Sequence, residues 1–126
     1  MSSSRSVNDR RSKVRLDGRR IAVTLRPRGR LGTCAAEAVD FNRHGMAVHT
    51  AAPLEKDRLV YLSLRCDGVR LDNLVGVVHN CVRQGAVYRS GIRFRPGSGL
   101  QQDRRLVESM LASLEQVLMV SESADA

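Results

Sequence analysis

The sequence predicts a mainly β domain, a small antiparallel barrel or sandwich, closed by one amphipathic C-terminal α-helix. Three observations carry that expectation. Between residues 21 and 94, short apolar and alternating runs recur and are broken by glycine-bearing turns, as in antiparallel strands. From Leu106 to Leu118 the apolar period changes to that of a helix. The 126 residues are 42% hydrophobic, enough for one domain with a real core, and with two Phe, two Tyr and no Trp that core must be aliphatic.

Taken in order, residues 21–25 read as a first strand and 32–39 as a second. Residues 45–49 begin a third, followed by the Ala52-Pro53 turn and the charged loop Glu55-Lys56-Asp57-Arg58. Residues 59–65 make a fourth, and Cys66-Asp67-Gly68 has the character of a hairpin turn. Two longer strands follow, 69–83 and 86–94, joined tightly at Gln84-Gly85. Gly97-Ser98-Gly99 marks the approach to the helix, whose Leu106, Val107, Met110, Leu111, Leu114, Val117 and Leu118 fall on one face. That face is expected to pack against an open side of the β structure. The polar residues 121–126 read as a disordered tail.

Charge is distributed unevenly. Residues 1–30 hold ten Arg/Lys against Asp9 and Asp17, and the rest of the chain is balanced. The sequence therefore describes a neutral body, residues 31–126, behind a cationic N-terminal segment, and such a segment implies an anionic partner; as domains, residues 1–20 read as a flexible basic arm and 21–120 as the β structure with its C-terminal helix. Arginine dominates over lysine there, which favours bidentate grips on phosphate or on the O6/N7 edge of guanine.

Other function classes are excluded by what is missing. No run of about 18 apolar residues occurs and no charged-then-apolar leader opens the chain, so a cytoplasmic protein without membrane insertion is expected. Cys34, Cys66 and Cys81 are widely spaced, odd in number and set in apolar or alternating segments, which fits reduced core thiols better than zinc or disulfides. His44, His49 and His79 have no suitably placed nucleophile, and neither a P-loop nor a dinucleotide fingerprint is present. The chain reads as a binder without a cofactor or metal, and not as an enzyme.

Two short signatures stand out. Arg11-Ser12-Lys13-Val14-Arg15, preceded by Arg10, puts guanidinium forks on the basic segment. Asp40-Phe41-Asn42-Arg43-His44-Gly45 offers a carboxylate, an amide and a glycine turn between strand-like runs. Taken alone, Asp40 and Asn42 would make an Asx-type turn ahead of a strand. Taken with Arg11 and Arg15, they suit a small ligand carrying phosphates and guanine edges.

In order and spacing, Arg11-x-x-x-Arg15 followed by Asp40-x-Asn42-x-x-Gly45 resembles the paired signature of the PilZ domain family of bacterial cyclic di-GMP receptors. The run Tyr88-Arg89-Ser90-Gly91-Ile92-Arg93-Phe94 also resembles that family's penultimate barrel strand, and the likeness spans roughly residues 9–118. The resemblance implies a six-stranded antiparallel β-barrel with a C-terminal helix, and a nucleotide held between the N-terminal loop and the barrel's outer surface. It implies that Arg11 and Arg15 form the guanidinium pair, that Asp40, Asn42 and Gly45 form the second half of the site, and that Arg10 adds a phosphate or stacking contact. The chemistry agrees, since arginine binds phosphate, stacks on purines and forks to O6/N7, while a carboxylate accepts from guanine N1–H and its N2 amino group. Where the family usually has serine this chain has Asn42, which keeps a donor and an acceptor but carries them about one bond further out.

The mechanism expected from these features is ligand-driven ordering: cyclic di-GMP neutralises the arginine cluster and draws the arm onto the barrel beside Asp40. The signal would pass to a separate protein, and the resemblance suggests motility, polysaccharide-export or kinase machinery. Two other readings compete: a degenerate adaptor that binds protein without nucleotide, and a basic-arm nucleic-acid binder. Phe41, Tyr61, Tyr88 and Phe94 are the aromatics available for base stacking and lie mostly in strand-like positions, which argues against nucleic acid.

Overall fold

The computed structural model describes residues 16–98 and 103–125. Its elements are β1 (Leu16–Asp17), β2 (Ala22–Pro27), β3 (Cys34–Asn42), β4 (Gly45–Thr50), β5 (Leu59–Cys66), β6 (Val69–Gln84), β7 (Val87–Phe94) and α1 (Arg104–Asp125). Alternation decides which side chains turn inward. In β5, Val60, Leu62, Leu64 and Cys66 are buried while their neighbours are not. β2, β4 and β7 supply Leu25, Met46, Val48 and Ile92 to the same interior. The core is aliphatic except where Phe41 meets Phe94, with ring centroids 5.8 Å apart.

Strands β2 to β7 close into a six-stranded antiparallel barrel in the order β3-β2-β5-β6-β7-β4, with β4 pairing back onto β3. Closure leaves the barrel no long free sheet edge. The connections follow local chemistry. Asp67 and Gly68 take φ of 46° and 84°, the paired left-handed residues of a two-residue hairpin, and Gly85 turns the β6–β7 hairpin at φ 62°.

α1 closes one end of the barrel with Val107, Leu111, Leu114 and Leu118 buried. Asp103 caps its start, accepting from the Arg105 amide at 2.9 Å. Leu106, expected on the buried face, is exposed, because it sits at the margin of the stripe that Leu111 and Leu118 centre. The helix backbone continues through Asp125 into the segment expected as a disordered tail, where Glu122 and Ala124 favour helix and no glycine or proline interrupts.

Two further differences matter. Cys34 is exposed at the start of β3 and is not a core thiol, whereas Cys66 is buried; burial pushes both thiols up from their ordinary range. Leu16 is buried, and β1 pairs onto the end of β3 as Leu16 with Phe41 and Asp17 with Asp40. The last residues of the range assigned to the arm are thus held against the barrel, because Leu16 provides an apolar anchor.

Candidate functional site

The outward direction of Asp40 depends on one irregularity. In strict alternation Asp40 would follow Ala38 into the core. Instead the β3–β4 register shifts between Ala38 and Asp40, so Val39 is the extra residue of a bulge, Phe41 goes inward, and Asp40 lies opposite Ala47. Asp40 Oδ1 accepts from the Ala47 amide at 3.1 Å, and Oδ2 accepts from Arg89 Nη2 at 3.0 Å. Beside it, β1 comes close: the Gly18 amide donates to the Val39 carbonyl at 3.2 Å, and a Cβ on Gly18 would lie 3.2 Å from the Asp40 carbonyl carbon.

Asn42 and Gly45 belong to the turn that follows. Asn42 is buried, and its Oδ1 accepts from the His44 amide at 2.8 Å and the Gly45 amide at 3.1 Å. Neither Arg43 nor His44 has a positive φ, so this two-residue hairpin lacks the usual mirror-image turn and is closed by the side chain instead. Gly45 is required by proximity: a Cβ there would stand 2.4 Å from the Ile92 carbonyl oxygen of β7. The tip is also tied to the helix, where Glu115 accepts from the Arg43 amide and Nε, both at 2.9 Å.

Between β1, β3 and β4 lies a cleft of about 430 Å³ lined by Leu16, Asp17, Arg19, Glu37, Asp40 and His49. Arg19 grips Asp17 with its side chain and its amide, holding that carboxyl down at about 2. His49 Nδ1 stands 3.5 Å from Glu37 Oε1, and its Nε2 is buried without a hydrogen-bond partner among the described residues. Among the described residues no group of His, Cys, Asp and Glu converges as a metal site, and no helix is long and apolar enough to cross a membrane.

Of the residues singled out from the sequence, Asp40, Asn42 and Gly45 come together at the β3–β4 hairpin. Arg10, Arg11 and Arg15 lie outside the described residues. Sequence reasoning missed two partners. Arg89 lies in β7, which is the last strand of the barrel and not the penultimate one the resemblance implied, and nothing local ties it to Asp40. Glu115 carried no sequence signal for Arg43, which lies 72 positions away.

A family model described as PilZ domain matches residues 9–112. Among solved structures, the chain is similar to K. pneumonia MrkH in its apo state, with a TM-score of 0.64 at 15% identity. That likeness is one of fold; it covers 90% of this chain and 51% of MrkH, so the chain spans about half the length of that protein. No curated protein matches the chain.

Proposed function

Because the chain belongs to the PilZ domain family, we propose that it is a cyclic di-GMP receptor in which Arg11 and Arg15 close over a ligand seated on the barrel beside Asp40. The observation that carries this reading is the position of β1. Leu16, the residue after Arg15, pairs with Phe41, and Asp17 pairs with Asp40. This supports the reading, since the arginine signature is joined to Leu16 by a single peptide bond, a Cα step of about 3.8 Å.

The ligand's two phosphates meet the arginine-rich segment, and a guanine edge meets the carboxylate. Arg10 adds a further cation. Ligand capture would change the surface presented by the N-terminal segment and the β3–β4 tip, and a separate protein would read that change. On this reading the output is binding and not turnover.

The test is calorimetric titration with cyclic di-GMP, with GTP as control, on the wild type and on Arg11→Ala and Arg15→Ala. Saturable micromolar or tighter binding by the wild type, lost in both variants with the fold intact, supports the reading. Retained affinity in both variants would sink the arginine assignment. Binding that collapses steeply with added salt and is shared by unrelated nucleic acids would favour the basic-arm alternative.

A further inference from the structure

Asp40 shares its outer face with a cation from two strands away. Arg89, on β7, is in register with His49, whereas Asp40 is in register with Ala47, which faces Gly91. The Arg89 guanidinium therefore reaches Asp40 on the diagonal across β4, past the small side chain of Ala47, while the His79 imidazole lies over Gly91. Both partners remain accessible, with Arg89 40% and Asp40 22% exposed. Pairs this open contribute little to stability. Their geometry is nonetheless fixed, because the Ala47 amide orients one carboxylate oxygen and Arg89 the other.

The geometry points to Arg89 as a further ligand-binding residue, which reads O6 of the guanine whose N1–H and N2 amino group Asp40 accepts. This rests on cyclic di-GMP being the ligand. Along its pairing edge guanine presents an acceptor at O6, a donor at N1 and a donor at N2. Arg89 and Asp40 present a donor beside two acceptors, in the order that cytosine offers. Adenine reverses the first two groups: its N6 amino group would face the guanidinium, and its bare N1 would face the carboxylate. A site built from such groups rejects the wrong base strongly, because its own polar atoms are left unpaired. Arg89 is thus a specificity residue on the second side of the site, outside both signatures.

The experiment titrates the wild type and Arg89→Met with cyclic di-GMP and with its bis-6-thioguanine analogue, which keeps N1–H and the N2 amino group and replaces O6 by sulfur, a much weaker acceptor. Arg89→Met is expected to weaken cyclic di-GMP about 10- to 100-fold, the loss of a charge-assisted hydrogen bond, and the analogue by less than about 3-fold. Arg89→Lys, which keeps a donor without the fork, should fall between wild type and Met for cyclic di-GMP. Equal losses for both ligands would show that Arg89 only holds Asp40 in place, and unchanged affinity would show that it does nothing for the ligand; either overturns the assignment. A wild type that binds no cyclic di-GMP overturns the receptor reading itself, an outcome visible before any variant is compared.

Discussion

Asp40 and the Asn42–Gly45 turn stand two residues apart in one signature, yet the structure gives them different work. Asp40 is turned outward by a bulge and held by Ala47 and Arg89 at the rim of a cleft. Asn42 and Gly45 face the protein: one closes the hairpin with its side-chain oxygen, the other lets β4 lie against the Ile92 carbonyl. On the proposed reading, this short motif combines one residue that serves the ligand with residues that build the platform beneath it. The contrast predicts that substitutions will separate affinity from stability.

The largest effect should come from Asp40→Ala, with cyclic di-GMP binding weakened about 100-fold or more while the melting temperature moves by only a few degrees, because the ion pair it breaks is partly exposed. Gly45→Ala should do the reverse. The added methyl meets strand backbone that cannot step aside, so thermal melting should show a loss of about 3 kcal/mol or more, with binding failing only as the fold does.

Smaller effects refine the division. Asn42→Ala leaves the His44 and Gly45 amides without their shared acceptor, a cost of about 1–2 kcal/mol in denaturant unfolding. Asn42→Ser should recover part of that, since a hydroxyl closes such turns more weakly. Glu115→Ala releases the tip from α1 and should cost about 1 kcal/mol or less, an effect that shrinks as salt is added. The smallest concerns Asp17, whose carboxyl is held at about 2, below its usual 3.8, by the Arg19 side chain and amide. Its stabilising contribution is complete above the ordinary value and fades as the pH falls toward 2, so Asp17→Asn should flatten the acid limb of stability slightly.

Much of the fold was legible because local rules and tertiary structure agree. Short apolar and alternating runs marked the barrel strands, Asp67-Gly68 marked a hairpin, and the leucines of α1 marked its buried face. The bulge at Val39 was not legible, since residues 38–41 carry no glycine or other breaker to announce it. The β1 segment was hidden for another reason: two residues, Leu16 and Asp17, are too short a run to show a period. On the site, residue types gave Asp40, Asn42 and Gly45 as a group but not the turn-closing geometry of Asn42. The partners Arg89 and Glu115 lie 49 and 72 positions from the residues they hold, distances at which pairing follows from barrel closure and not from local pattern.

The most direct test of this division is one set of cyclic di-GMP titrations on wild type, Asp40→Ala and Asn42→Ser, each checked for folding by its melting curve. The account predicts saturable binding at micromolar concentration or below for the wild type, at least about 100-fold loss for Asp40→Ala, and affinity within about 3-fold of wild type for Asn42→Ser. Full affinity in Asp40→Ala, or no binding by the folded wild type, would contradict it.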